Sequence, residues 1–283
     1  MWLVLCDPAD RAAVWAYEGL RERGLEPLEL LSPQTLLSST RSVHRVDRLG
    51  ASFEITLPDG RVLDSRDVDG VLNRVASAPF GYLPFTTHAD AAYAAQELDA
   101  LLLSLLTCLA PVSVNRPAGY GLCGAWRSTA EWTALAIRAG LPARPARISS
   151  SPDGEPRAAP TGRGDVLVLG EHVFGAPPAE DEEPYVRLAR LAEVDLLGID
   201  LLGADLLGAD PPGADVPGAD PPGADLLGAD LLGADLLGAD HRRDDGRPAV
   251  FAGASPLPDL RPAGAAFLDR LYEHLTGLPR GAP

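Results

Sequence analysis

Apolar and polar positions along the first 75 residues predict strands and helices in turn. Residues 2–6 form a continuous apolar run, which is typical of a buried strand. Asp7 and Pro8 follow directly and predict the start of a helix that closes at Gly24. Further apolar runs predict short strands at 28–31 and 68–75 and one or two exposed strands within 43–57. The chain therefore opens as an α/β layer.

Two helices farther along are predicted most clearly. Residues 90–109 carry an apolar stripe at helical spacing, and a strand at 112–115 follows them. Residues 128–139 begin with a capping hydroxyl, have Glu131 in the first turn and end at Gly140. The remaining predictions are a hairpin at 166–169 and 172–174, a helix at 185–192 and a last helix at 265–275.

Between 195 and 239 the chain is a run of nine five-residue units. Six units begin Asp-Leu-Leu-Gly, and three carry proline instead of leucine. The unit resembles the pentapeptide-repeat family, whose members build a right-handed β-helix with leucine pointing inward. Nine units would give only about two coils, and Pro211 and Pro221 stand where the inward leucine belongs. Two interpretations remain: a Pro/Gly/Asp-rich insertion that arose by duplication, or an ordered short solenoid.

Charge and composition exclude several classes of function. The net charge is −16, so the chain lacks the basic surface of a nucleic-acid binder, and ten repeat aspartates supply most of that charge. All 24 basic residues are arginine, which excludes chemistry that needs a lysine ammonium group. Three cysteines without metal-ligand spacing predict neither a disulfide framework nor a structural metal site. We expect a cytoplasmic location and no membrane partner, because the N-terminus lacks a signal peptide and the apolar run at 101–106 is too short to span a bilayer.

Polar side chains follow two predicted strands at their carboxyl ends. They are Asn73 and Arg74 after the first strand and Asn115 and Arg116 after the second. Ligands of parallel sheets lie at this edge, and two arginines with two asparagines would suit a carboxylate or phosphate. The alternative is that Arg74 pairs with Glu97 on the following helix and that each asparagine fixes a turn.

A glycine-rich segment follows the second of these strands. Gly119, Gly121 and Gly124 have the G-x-G-x-x-G spacing of a dinucleotide-binding loop, which makes them ligand-binding candidates. Three residues separate the strand from the first glycine, and no acidic residue follows at the ribose position, so a flexible loop is the alternative. Cys123 near a helix start could act as a nucleophile if its pKa were lowered.

Several short motifs, taken in order, resemble the ATP-grasp family, and especially its peptide-modifying carboxylate–amine ligases. The motifs are VDGVLNR at 68–74, YAAQEL at 93–98, VNRP at 114–117, EW through AGLP at 131–142, LGID at 197–200 and VFAGASP at 250–256. The resemblance implies an α/β fold with a parallel-sheet domain at 1–117 that is similar to a pre-ATP-grasp domain. It also implies a reduced ATP-grasp-like region at 118–194 and 246–283, interrupted by the repeat at 195–245.

In that family, lysines hold ATP, and an aspartate, a glutamate and an asparagine bind magnesium. Here the aspartate is kept as Asp200 or, after the duplications, as Asp240, but Ala252 and Ala254 stand at the other two metal positions. Thr129 stands near the position of the first lysine, and only 54 residues separate Gly140 from Asp195, which predicts a truncated nucleotide lobe.

These departures lead us to expect a degenerate, non-catalytic relative with no cofactor. Its partner would be a peptide or protein, including an active ligase, bound at the edge that carries the two asparagine–arginine pairs. Three alternatives remain: an ATP-dependent carboxylate–amine ligase that uses ATP and Mg²⁺, a nucleotide binder through the glycine loop, and a pentapeptide-repeat interaction module.

Overall fold

The computed structural model of the chain describes residues 1–48, 50–79, 87–143, 164–175, 182–203 and 249–277. In chain order the elements are β1 (Trp2–Cys6), α1 (Arg11–Glu22), β2 (Leu28–Leu31), α2 (Pro33–Leu37), β3 (Arg41–Asp47), β4 (Gly50–Thr56), β5 (Val62–Asp64), β6 (Gly70–Arg74), α3 (His88–Leu109), β7 (Ser113–Val114), α4 (Thr129–Ala139), β8 (Val166–Leu169), β9 (His172–Gly175), α5 (Glu183–Ala192), β10 (Leu196–Gly203), β11 (Ala249–Ser255) and α6 (Gly264–Gly277). The mixed α/β class predicted from the sequence is confirmed, with one parallel sheet among the three that these residues form.

The parallel sheet is built from the apolar runs of the N-terminal part. Its strand order is β2-β1-β6-β7, with Cys6 level with Arg74 and Leu72 level with Val114. Every residue of β6 is buried, as expected for a central strand covered on both faces. The strand predicted at 112–115 is shorter than expected, because Ser113–Val114 alone pair with β6.

A small antiparallel sheet lies beside the parallel one. Its order is β3-β4-β5, and Phe53 and Ile55 of β4 share a core cluster with Leu102 and Leu106 of α3. All the buried residues of α3 lie in its C-terminal half, whereas every residue of its N-terminal half is exposed or half-buried; the buried ones are Leu102, Leu105, Leu106 and Leu109.

The third sheet is antiparallel, in the order β11-β10-β8-β9, with α4 and α5 packed on its core. Its central strand, β10, is formed by residues that begin the repeat. Leu196, Leu197 and Ile199 are fully buried, because β10 lies between β8 and β11. Residues 196–203, which the sequence analysis assigned to the repeat segment that begins at 195, therefore form a strand of this sheet. Residues 204–248 lie outside the described part, so the insertion and solenoid interpretations both stay predictions.

Helix ends follow the local sequence signals with one exception. Ser128 and Glu131 form the expected capping box, and Gly140 ends α4 with φ +96°. Asp7 does not cap α1; the N-cap is Asp10, whose side chain accepts the backbone N–H of Ala13 at 3.0 Å. Asp7 accepts the N–H of Ala9 in the turn before the helix instead. The strand-to-helix connection is therefore one turn longer than predicted.

Helix α3 differs from the expectation that no segment suits a membrane. Among the described residues, one segment, His88–Val112, is long and apolar enough to cross a bilayer, judged by length and composition only. A single such helix is weak support for a membrane span, because a core helix of a soluble protein passes the same test.

Candidate functional site

The carboxyl edge of the parallel sheet is where the sequence placed a ligand site. β1, β6 and β7 all end here; Asn73 and Arg74 are the last two residues of β6, and Asn115 directly follows β7. Asn73 and Asn115 are fully buried, and Arg74 is 5% exposed. This cluster is therefore closed to solvent, and its hydrogen bonds decide its role.

The side-chain amide of Asn73 is hydrogen-bonded to the protein backbone. Its Nδ2 donates to the carbonyl oxygens of Asn115 at 3.0 Å and Leu122 at 2.7 Å, and its Oδ1 accepts the N–H of Val75 at 3.2 Å. Both donor positions and one acceptor position of the amide are used. Asn73 therefore fixes the local turn and anchors the loop that contains Leu122.

Asn115 joins the parallel sheet to the antiparallel sheet that contains β10. Its Nδ2 donates to the carbonyl oxygens of Leu196 at 2.8 Å and Pro256 at 2.9 Å, and its Oδ1 accepts the N–H of Leu196 at 2.8 Å. Its φ of +56° lies in the left-handed region, which asparagine tolerates better than most residues. The local conformation thus aims one amide at two segments that are distant in sequence.

Arg74 pairs with Asp10, not with Glu97 as the sequence interpretation proposed. Its Nε donates to the Asp10 carboxylate at 2.7 Å, and Asp10 also caps α1. Glu97 is exposed on α3. Because the carboxyl ends of β1 and β6 are level, the loop after β1 brings Asp10 to Arg74. The ion pair uses Nε and Nη2 of the guanidinium, so these two donors are not available to a phosphate. Its Nη1 is buried and has no hydrogen-bond partner among the described residues.

Two cysteines border this cluster, and burial makes both poor nucleophiles. Desolvation raises the pKa of Cys123 to about 12 and that of Cys6 to about 11. The thiol of Cys123 donates to the carbonyl oxygen of Asn73 at 3.1 Å. The hypothesis of a Cys123 nucleophile with a lowered pKa is therefore wrong. We refer to Cys6 and Cys123 below as the two buried thiols.

The glycine segment forms a compact loop that uses its own amides. Ala118 and Gly121 exchange backbone hydrogen bonds of 2.9 and 3.0 Å, and the Gly124 N–H donates to the Arg116 carbonyl at 3.0 Å. A Cβ at Gly121 would lie 2.2 Å from the Gly124 carbonyl oxygen, so the close approach requires glycine. Gly119 has open space around it. The amides of Gly121 and Gly124 are thus engaged within the loop, and the dinucleotide-binding interpretation is not supported.

The exposed part of the site is the carboxyl-edge loop, which we define as residues 116–127. Arg116 is exposed, and Tyr120 and Trp126 are 87% and 66% exposed. The N–H of Trp126 donates to the carbonyl of Tyr120 at 3.3 Å, which holds the two aromatic residues near each other. The sequence analysis missed both, although aromatic residues in a Gly/Pro-rich segment that cannot bury them are a usable signal. One cation and two aromatic groups at the surface suit a peptide or protein contact.

The residues expected at a magnesium site do not fit that ion. Asp200 is 5% exposed, and its Oδ1 accepts the N–H of Gly164 at 2.8 Å. Gly253 lies opposite it on β11, where Ala252 and Ala254 also offer no side-chain oxygen. Magnesium requires several accessible oxygen ligands. Within the described ranges, no group of three or more histidine, cysteine, aspartate or glutamate side chains could hold a metal ion. Asp240, the other candidate, lies outside the residues that the structure describes.

Comparisons with known proteins place this fold. No protein-family model and no curated protein matches the chain. Among solved structures, the macrocyclase MdnB from Microcystis aeruginosa MRC is 11% identical with a TM-score of 0.55, over 98% of this chain and all of that one. The ATP-grasp ligase PsnB, complexed with minimal precursor, Mg and ADP, is 13% identical with a TM-score of 0.57, over 97% and 98% of the two chains.

A third solved structure is similar in the same way. It is the RiPP-associated ATP-grasp ligase of Chryseobacterium gregarium, in complex with ADP and a leader and core peptide; it is 11% identical with a TM-score of 0.53, over 100% of this chain and 98% of that one. The chain therefore has the same fold as these solved structures, which confirms the fold expected from its short motifs. The truncation expected from the spacing of Gly140 and Asp195 stays a prediction.

Proposed function

We propose that this chain is a non-catalytic protein of ATP-grasp fold that binds a peptide or protein partner through the carboxyl-edge loop. The observation that carries the proposal is the contrast within one edge of the sheet. The inner side chains, Asn73, Arg74 and Asn115, are buried in internal hydrogen bonds, whereas Tyr120 and Trp126 of the loop are exposed. The surface that a ligand can reach therefore has the chemistry of a protein contact.

The loss of ligase chemistry is supported by the charges that the chain lacks. Phosphoryl transfer from ATP depends on positioned cations and metal ions that neutralise the phosphates. The chain has no lysine, Arg74 is committed to Asp10, and β11 carries alanine at the positions of two expected metal ligands. The similar enzymes PsnB and the Chryseobacterium ligase were solved with peptides bound, which supports a peptide as the class of partner.

An ATP-dependent carboxylate–amine ligase is the second candidate. It is favoured by the same relatives, because the PsnB structure holds Mg and ADP together with its precursor. The two candidates differ in what they need. The ligase requires saturable binding of nucleotide with magnesium, whereas the binding protein requires only the loop.

Two experiments test these candidates, and the first measures peptide binding. A displayed library of random peptides is panned against the full chain, and the affinity of the selected peptides is measured by calorimetry. We expect Trp126→Ala and Arg116→Glu to weaken binding at least tenfold, because aromatic and arginine anchors dominate such contacts. The matched control is Arg138→Glu, which makes the same charge change on an exposed position of α4. An affinity that is unchanged in both loop variants would overturn the proposed surface.

The same selected peptides test catalysis. The chain is incubated with peptide, ATP and Mg²⁺, and the mass of the peptide is measured by mass spectrometry. A ligase that forms an amide or ester within the peptide lowers its mass by one water. We expect no mass change and no rise of the melting temperature with millimolar ATP and Mg²⁺, because a ligand that binds the native state must raise that temperature. Loss of water from the peptide would establish the ligase instead.

A further inference from the structure

Strand β3 and helix α3 bring an imidazole, a thiol and a hydroxyl together, away from the carboxyl edge. The Nε2 atom of His44 lies 3.2 Å from the Sγ of Cys108, and its Nδ1 atom lies 3.2 Å from the Oγ of Ser104. Ser104 and Cys108 are one turn apart on α3, so both reach the same ring. A nucleophile within hydrogen-bond distance of a base that a third group orients is the arrangement of nucleophilic catalysis.

The packing of β3 and β4 on α3 explains why these side chains meet. His44 lies opposite Phe53 in the antiparallel register of the two strands, and facing residues of such a pair share one side of the sheet. Phe53 is buried in a cluster that includes Leu105 of α3. His44 therefore extends from the outer strand over the same helix.

Cys108 is accessible to a small reagent. It is half-buried, whereas the two buried thiols defined above are closed to solvent. Its neighbour His44 is exposed. Cys108 thus combines access to solvent with a hydrogen-bonded base.

The thiol needs that base to react near neutral pH. Partial burial raises the pKa of Cys108 above its ordinary value, so the reactive thiolate is scarce. Residues 100–112 carry no charged side chain that would favour the thiolate. Among the described neighbours of the sulfur, the imidazole of His44 is the group that can take its proton. The carbonyl oxygen of Ser104, 3.5 Å from the sulfur, accepts a hydrogen bond but is far too weak a base.

The contact with Ser104 selects the productive tautomer of the imidazole. The Oγ of Ser104 can accept the Nδ1 proton of the ring, which leaves the lone pair of Nε2 directed at the Cys108 thiol. Ser104 is therefore a positioning residue, because it touches the base and not the reacting sulfur.

We propose that Cys108 is a modification site for low-molecular-weight disulfides, with His44 as its general base. The Nε2 atom of His44 takes the thiol proton while the sulfur attacks one sulfur atom of the disulfide. A new S–S bond forms at Cys108, the S–S bond of the reagent breaks, and the departing thiolate recovers the proton from His44. The products are a mixed disulfide on Cys108 and one free thiol, so the exchange needs no further oxidant. The site is independent of the carboxyl-edge loop and of the function proposed for it.

The test measures how fast the full native chain forms an adduct with bis(2-hydroxyethyl) disulfide at pH 7, followed by mass spectrometry. We expect Cys108→Ser to lose the fast adduct. His44→Ala should slow adduct formation at least tenfold, because a positioned general base contributes a factor of about 10²–10⁴. His172→Ala is the matched control, since it removes an exposed histidine of β9 and should leave the rate unchanged.

Chemical rescue separates a base from a merely structural residue. Imidazole added to the buffer should restore most of the rate that His44→Ala loses, because a free base can enter the space that the ring leaves. Ser104→Ala should slow the reaction severalfold, whereas Ser104→Thr keeps the hydroxyl and should retain the rate. Circular dichroism checks that each variant keeps the fold.

The same reaction in urea supplies the deciding comparison. Without a base, the raised pKa would make the native thiol of Cys108 slower than the same thiol in the unfolded chain. With His44 acting, the native thiol should react at least as fast as the unfolded one. A slower native thiol, a His44→Ala variant as fast as the native chain, or no rescue by imidazole would each overturn the proposal.

Discussion

Asn115 gives the sharpest test of how the two main sheets are joined. Replacing it by alanine would remove both bonds to Leu196 and the bond to Pro256, and would leave one buried N–H and two buried carbonyls without this partner. The N–H costs about 2 kcal/mol and each carbonyl about 1 kcal/mol when left unsatisfied. The expected loss is therefore about 4 kcal/mol, a large share of the roughly 5–15 kcal/mol that stabilises an ordinary domain.

The measurement is equilibrium unfolding in urea, followed by tryptophan fluorescence and circular dichroism. Asn115→Gly removes the same bonds but relieves the left-handed φ of +56°, so it should be about 1 kcal/mol more stable than Asn115→Ala. Arg116→Ala changes the next, exposed residue and should stay within about 0.5 kcal/mol of the native chain. A loss below about 1.5 kcal/mol for Asn115→Ala would refute the view that this amide joins the sheets.

Three further predictions concern the thiols, the glycine loop and pH. A thiol reagent at pH 8 should modify Cys108 well before the two buried thiols, because burial raises the pKa of all three thiols but Cys108 is only half-buried. Denaturant should abolish the difference, and equal rates in the native protein would contradict the burial. Gly121→Ala should lower the melting temperature by several degrees because its Cβ meets the Gly124 carbonyl, while Gly119→Ala, in open space, should change it little. Burial lowers the pKa of His274 below its ordinary 6.5, so the unfolded chain binds this proton more readily and stability falls as pH drops below about 6.5; His274→Leu should flatten that slope in urea titrations between pH 5 and 7, and an unchanged slope would exclude His274 as its source.

Local sequence signals predicted most elements of this protein. The apolar runs at 2–6 and 28–31 form strands, the capping box begun by Ser128 starts a helix, and Gly140 ends it. These signals work because they act over a few residues: burial periodicity, a side-chain cap or a left-handed glycine is specified within one turn or one strand. The sequence predicts the N-cap of α1 at Asp7, whereas the structure has it at Asp10, because both aspartates carry the same local signal.

The candidate site shows where that reasoning ends. The sequence placed Asn73, Arg74 and Asn115 at the carboxyl edge of the sheet, where they lie in the structure, but it could not show that Arg74 would meet Asp10, which is 64 residues away. It also could not show that Asn115 would turn inward to Leu196, 81 residues away. Spacing along the chain carries no information on such pairs. A buried set of hydrogen bonds between segments and an open ligand site therefore have the same sequence pattern, and only the positions of the distant partners distinguish them.

The sequence by itself determined the α/β class, the two ends of α4 and the lack of any lysine side chain. Only the tertiary structure decided that the first repeat residues form strand β10 inside a sheet. It also decided that Tyr120 and Trp126 are the exposed aromatic side chains of the carboxyl-edge loop. The physical reason is that propensity and capping are local free energies, whereas burial and hydrogen-bond satisfaction depend on which distant segments pack together. An apolar Leu-Leu-Gly unit is equally suited to a strand or a linker, and the neighbouring strands β8 and β11 decide between them.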